Sequence, residues 1–183
     1  FTLSDLRRQD RLDELEFVFP AQGDLVTADQ IAAVLRLSDA FPRGYLRRVA
    51  GLGFVPLRGF LKGFIDLVFC RDGLWYVVDY KSNRLGDHMA SYSDSAMAQE
   101  MARHHYYLQY HLYVVALHRL LRYRIPDYDY DHHFGAALYL FFRGMAPVNG
   151  PRHGVFRDRP RRDVIEALSG LFDEAARDVG VRP

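Results

Sequence analysis

The sequence predicts a mixed α/β fold, a central sheet flanked by helices, and three observations predict it. Asp72-Gly73 sits between two apolar runs, Leu61–Cys70 and Leu74–Tyr80. An Asp-Gly pair between β-rich runs is the strongest short-range hairpin signal. Met97, Met101, His105, Leu108, Leu112 and Val115 recur at spacings of three and four, which predicts one long helix from Ser95 to Arg124. Phe134–Phe142 is an unbroken apolar run, the pattern of an inner strand. The element order then reads β, α, β-hairpin, long α, β, α, with the hairpin and Phe134–Phe142 at the sheet's centre.

Taken in order, residues 1–13 are charged and mixed, with Leu3, Leu6 and Leu12 loosely spaced, and read as a short helix or an extended lead-in. Leu15–Phe19 reads as a strand stopped by Pro20. Thr27-Ala-Asp-Gln30 matches a capping box, and Ile31, Val34 and Leu35 form the apolar face behind it, so a helix is expected to end near Ser38. Residues 39–58 hold two prolines and three glycines and read as an irregular connection with one helical turn at Tyr45–Val49. After the hairpin the chain turns polar, and Ser93 or Asp94 is placed to cap the long helix. That helix is apolar almost all round in its second half, which predicts deep packing. Residues 125–133 read as a turn-rich connection, Gly144–Gly154 as a loop, and Val155-Phe156 as a brief pairing segment. A last amphipathic helix is expected from Arg162 to Ala176, with Val164, Leu168, Leu171 and Phe172 inward.

At 183 residues the chain is long enough for one domain with a substantial core. Its 24 basic and 23 acidic residues leave a net charge of +1, so a nucleic-acid partner would have to be met by local clustering. The single Cys70 excludes an internal disulfide and a cysteine-rich zinc site, and fits a reduced, cytoplasmic setting. No apolar run reaches the roughly 18–20 residues of a membrane span. The chain starts at Phe1 and in the middle of a pattern, so it is expected to be a single domain cut from a longer protein.

The chemistry concentrates in the hairpin. Asp79 and Lys81 are two apart on a strand and share a face, while Tyr80 points away. With Asp72-Gly73 as the turn, Asp66 falls opposite Asp79. Directly opposed residues have Cβ atoms about 5 Å apart. Two ionised carboxylates at that range repel, and a divalent cation between them turns the repulsion into a binding site. Hard oxygen donors, with the Tyr80 backbone carbonyl as a third, select Mg²⁺ or Mn²⁺. Lys81 beside the metal would orient a water or stabilise a phosphate in transition. The same residues also fit an ordinary strand-end salt bridge, Lys81 with either acid. Gln109 and Tyr113, i and i+4 on the long helix, share a face from which they could reach a phosphate oxygen or a bound water.

These residues resemble a known family. Asp66, then Asp79-Tyr80-Lys81, then Gln109-x-x-x-Tyr113 is similar to the PD-(D/E)xK nuclease superfamily, in its RecB-type branch with the added Gln-x-x-x-Tyr motif. The segments LKGFIDLVF, DYKSN, LQYHLYVVALHRLLRYRIPDYDYDHHFG and YLFFRG carry the likeness, which is dense from Arg58 to Gly144 and weak before it. The resemblance implies a restriction-endonuclease-like fold and a Mg²⁺-dependent phosphodiesterase that degrades DNA from its ends. It implies Asp66, Asp79 and the Tyr80 carbonyl as metal ligands, Lys81 as the catalytic lysine, and Gln109 and Tyr113 as accessory catalytic residues. It further implies RecC and RecD partners, RecA loading and a role in recombinational DNA repair. In this family another metal-ligand His lies on a helix ahead of the first strand. Here the first His is His88, so that ligand is expected upstream of Phe1. A module that only docks DNA or RecA is the competing reading of a chain without it. The absence of a P-loop excludes an ATP-driven motor.

Other clusters carry less. Asp131-His132-His133 and the helix histidines 104, 105, 111 and 118 lack the spacing of a metal site. Glu16 could line the site, and Lys62 could face a phosphate. Arg152, Arg157, Arg159, Arg161 and Arg162 could follow a DNA backbone or be a solvated loop and helix start.

Overall fold

The computed structural model describes residues 3–21, 26–53, 59–150 and 153–177. Among the described residues, five strands form one mixed sheet in the order β1-β2-β3-β4-β5: Arg11–Ala21, Gly59–Arg71, Leu74–Lys81, Phe134–Phe141 and Val155–Asp158. All neighbours are antiparallel except β3 and β4, which run parallel. Parallel neighbours need a crossover of a dozen or more residues, and here it carries three α-helices. These are α3 (Asp94–Arg103), α4 (Tyr106–Arg124) and α5 (Tyr130–His133). Between β1 and β2 lie α1 (Ala28–Leu35) and α2 (Tyr45–Ala50), and α6 (Arg162–Arg177) follows β5. The expected hairpin and the expected inner strand are β2, β3 and β4, the middle of the sheet.

The helices pack on one face. Ile31 and Leu35, Tyr45 and Val49, Met97 and Met101, Val114 and Leu117, and Val164 and Leu168 share one cluster with Ile65, Val68, Val77, Tyr139 and Phe141. α4 is the central layer of this core, with eleven of its nineteen residues buried. The other face carries a smaller cluster, Leu67, Phe69, Val78 and Leu140, against which Leu3 and Leu6 pack. No helix among the described residues is long and apolar enough to cross a membrane.

Three boundaries differ from the sequence expectation. β1 starts four residues earlier, in a charged stretch that pairs with β2 from Arg11 on; it also runs through Pro20 to Ala21, because it is an edge strand and one side of its backbone needs no ladder partner. The Thr27 capping box forms as expected, but α1 ends at Leu35 and tightens into i→i+3 turns through Ser38. The expected single helix from Ser95 to Arg124 is two helices. His105 takes a left-handed backbone (φ 56°) that breaks it, and the Tyr45 hydroxyl accepts the Leu108 N–H that the break leaves without a helical partner. Apolar spacing continues across the break, which hides it from periodicity. α5 is a short helical turn inside the expected connection, capped by the Asp129 side chain. Residues 54–58 of the expected connection, and Arg152, lie outside the described residues.

Candidate active site

The hairpin register is the one the turn dictates. Asp72 and Gly73 both have positive φ (52° and 80°), as a two-residue turn that matches strand twist requires. Leu74 pairs Arg71 and Val78 pairs Leu67, so Asp66 and Asp79 are next in line. The ladder stops there. Instead of a backbone bond, the Asp66 carboxylate accepts the Tyr80 N–H at 2.8 Å.

A change of phase in β2 produces this. In a regular strand Ile65 and Leu67 would share a face. Here Ile65 lies in the large cluster and Leu67 in the small one. The switch falls at Asp66. Its counterpart on β1 is Glu14, between the Asp13–Leu67 and Leu15–Ile65 pairs, and Glu14 has a left-handed backbone (φ 53°). Aspartate is a poor strand former, and the irregularity lets its carboxylate reach across to β3.

On β3 the alternation is regular. Asp79 (4% exposed) and Lys81 (9%) face α4, and Tyr80 (44%) faces away. Lys81 Nζ lies 2.5 Å from Asp79 Oδ2 and donates to Gln109 Oε1 at 3.2 Å. Gln109 Nε2 donates to the Tyr113 hydroxyl at 2.8 Å, and that hydroxyl interacts with Asp79. The five side chains Asp66, Asp79, Lys81, Gln109 and Tyr113 are therefore gathered at one end of the hairpin under α4. Phe17 of β1 packs edge-on against Tyr113, with ring centroids 5.7 Å apart.

Burial pushes the Asp79 carboxyl up; the hydrogen bond and charge of Lys81 oppose this, and the charge of Asp66 adds to it. Burial likewise raises the Tyr113 phenol, followed by the charges of Asp79 and Asp66. Tyr113 is thus a neutral hydroxyl donor at neutral pH.

Two like-charged carboxylates, one of them held up by burial and by the other, form an electrostatic strain that a divalent cation relieves. Asp66, Asp79 and the Tyr80 carbonyl are all hard oxygen donors, which fits such an ion. Among the described residues no three His, Cys, Asp or Glu side chains are gathered so as to hold a metal, so these donors are a partial set.

Four residues that sequence reasoning did not single out complete the cluster. The Tyr139 hydroxyl donates to Gln109 Oε1 at 2.9 Å. The Tyr106 ring lies under Lys81 Nζ, 3.8 Å from its centroid. The Tyr106 hydroxyl donates to Asn83 Oδ1 at 3.3 Å, and Asn83 Nδ2 donates to Glu100 at 2.9 Å. Tyr106 stands three residues before Gln109 and so on its helix face, a signal that was present in the spacing. Tyr139 pairs with Asp79 only through the crossover register, which no local pattern carries.

The remaining sequence candidates lie elsewhere. Glu16 and Lys62 pair with each other at 2.8 Å, half exposed. His111 is buried and donates from Nδ1 to the Tyr107 carbonyl, and His118 meets the Tyr128 hydroxyl. His132 pairs with Asp129. Arg159, Arg161 and Arg162 face Asp131, Asp163, Asp129 and Glu166, so their charge is largely met within the chain.

Comparison with known proteins identifies the family. Residues 8–179 match the PD-(D/E)XK nuclease superfamily. The RecBCD enzyme subunit RecB of Escherichia coli is 43% identical over 171 residues, which cover 93% of this chain and 14% of that protein. RecB of Haemophilus influenzae is 40% identical over 93% of this chain, and RecB of Mycobacterium tuberculosis 42% over 94%. The chain spans 13% to 17% of the length of these relatives. Nucleases of this superfamily generally use divalent metal ions. With a match over most of its length and a five-stranded mixed sheet to carry it, the chain belongs to the PD-(D/E)XK nuclease superfamily.

Proposed function

We propose that this chain hydrolyses DNA phosphodiester bonds with Mg²⁺, as the nuclease module of a RecBCD-type enzyme that processes DNA ends for recombinational repair. Its partners would be DNA ends and RecC- and RecD-like subunits. The observation that carries the proposal is the buried Asp79–Lys81 pair at 2.5 Å, set beside Asp66 at the end of the hairpin.

Asp66, Asp79 and the Tyr80 carbonyl would hold the cation. When bound, it would polarise a phosphoryl oxygen and lower the pKa of a water. The chain's own residues do the rest. Asp66 fixes the backbone between Asp79 and Tyr80. Asp79 holds Lys81 by charge. Lys81 presents a cation to the phosphate and orients the attacking water. Gln109 fixes the Lys81 head group, and Tyr113 offers its proton to the Asp79 carboxylate.

A second reading, a DNA- or RecA-docking module without chemistry, draws on the partial donor set. The two separate in one assay. Linear single-stranded DNA is incubated with Mg²⁺ and with Mn²⁺, using the chain and the full-length protein that contains it. Metal-dependent degradation by the full-length protein, abolished by Asp79→Ala with the fold intact, is expected. Undiminished degradation by Asp79→Ala would overturn the mechanism, and binding without cleavage in the full-length protein would favour docking.

A further inference from the structure

Lys81 is held by more than its acid. Its ammonium lies 3.8 Å from the Tyr106 ring centroid and 5.0 Å from that of Tyr139. A cation over an aromatic face is attracted by the ring quadrupole, and the attraction strengthens where water is excluded. Lys81 is 9% exposed. The two rings therefore restrict the ammonium on the sides that Asp79 and Gln109 leave open, and they do so without neutralising its charge.

The Tyr106 ring is itself fixed from two directions, and Glu100 braces both. His104 stacks on it, with centroids 5.3 Å apart and planes 21° from parallel. Its hydroxyl bonds Asn83, whose amide bonds Glu100. Glu100 also meets His104 at 3.0 Å. Glu100 and His104 come from α3 and the turn after it, Asn83 from the loop after β3, and Tyr106 from the first turn of α4. The helix break makes this possible. The left-handed backbone of His105 separates α3 from α4, so that His104 and Tyr106, two apart in sequence, lie ring on ring. On one continuous helix, residues two apart point about 200° from each other and could not stack. A left-handed non-glycine residue is disfavoured and persists only where its surroundings enforce it.

We infer that Tyr106, set by the break at His104–His105 and braced by Asn83 and Glu100, is a positioning residue that holds the Lys81 ammonium at its working place. This rests on the role proposed for Lys81. A lysine on a flexible four-carbon stem gains most from such a clamp, because misplacement of a reacting group by about 1 Å can cost about a hundredfold in rate.

The test compares Tyr106→Phe, which keeps the ring, with Tyr106→Leu, which removes it. In DNA cleavage by the full-length protein, Tyr106→Leu is expected to lower kcat by about ten- to a hundredfold with KM little changed. Tyr106→Phe should restore most of that loss. In NMR spectra of the chain, assigned with Lys81→Arg, the Lys81 ε-methylene protons should be shielded by the ring, stay shielded in Tyr106→Phe and lose the shift in Tyr106→Leu. A structural role alone would lower thermal stability in Tyr106→Leu without this pattern. Equal kcat for Tyr106→Leu and the unaltered protein, or Lys81 resonances indifferent to the ring, would overturn the inference and leave the nuclease reading standing. If the unaltered protein cuts no DNA, the nuclease reading fails, and the catalytic meaning of the clamp fails with it.

Discussion

The Tyr80 N–H donates to the Asp66 carboxylate at 2.8 Å, so the peptide that joins Asp79 to Tyr80 is anchored by the acid of the neighbouring strand. One side chain thus does two things that can be separated. It satisfies a backbone donor at the end of the ladder, and it places a negative charge near Asp79. Asp66→Asn keeps an acceptor oxygen and removes the charge, so its melting temperature should stay close to that of the unaltered chain. Asp66→Ala leaves the donor unmet and should cost about 1–2 kcal/mol. Both should weaken Mn²⁺ binding by about tenfold or more in calorimetric titration. Undiminished Mn²⁺ affinity in Asp66→Asn would remove Asp66 from the site.

The Asp79–Lys81 pair is nearly dry, and breaking one side of such a pair leaves a buried charge. Lys81→Met should destabilise the fold by about 3–5 kcal/mol at neutral pH. The sign with pH follows from Asp79. Without Lys81 its carboxyl rises further, so the penalty is present where Asp79 must be ionised and shrinks as pH falls and it protonates. Urea midpoints at acidic and mildly alkaline pH check this. The double change Asp79→Asn with Lys81→Met should recover most of the loss. A loss that is independent of pH would mean that the pair is solvated.

Two buried histidines set an opposing pH dependence. Burial lowers both His111 and His118 from 6.5 to about 4. Between those values the unfolded chain binds the protons, so stability should rise with pH, by up to about 1.4 kcal/mol per pH unit for each group. Protonated His118 would also face Arg122, Arg162 and Arg119, with Glu166 as its acidic neighbour. The raised carboxyl of Asp79 works the other way over its own range and offsets part of the slope. His118→Leu should flatten the curve of stability against pH through this window. An unchanged slope would show that His118 is solvated when folded.

Gly63 is a packing position for the site. A Cβ there would stand 2.4 Å from the Phe17 ring, and Phe17 rests edge-on against Tyr113. Gly63→Ala should displace Phe17, cost about 1–3 kcal/mol, and disturb the Tyr113 environment. Thermal unfolding and the Tyr113 ring resonances read both effects. A neutral Gly63→Ala would mean that Phe17 has room to turn away.

What could be read in advance was what short stretches decide. Asp72-Gly73 determines the hairpin register because a two-residue turn permits one pairing, and that register sets Asp66 in line with Asp79. Thr27 and Gln30 cap each other across three residues, so α1's start was legible too. Two features were not. The break at His104–His105 involves neither glycine nor proline and is stabilised by distant partners, Tyr45 on the Leu108 N–H among them. Tyr139 reaches Gln109 only after the crossover has laid β4 beside β3. The ends of β1 are hidden for two reasons: its first four residues are mostly charged, and the rule against proline applies to strands paired on both sides.

The most direct test is anomalous diffraction from Mn²⁺-soaked crystals. The expected result is one peak coordinated by the carboxylates of Asp66 and Asp79, absent in Asp79→Asn. Ordered side chains with no peak between them, or a peak held by other residues, would contradict a metal-dependent centre at this hairpin.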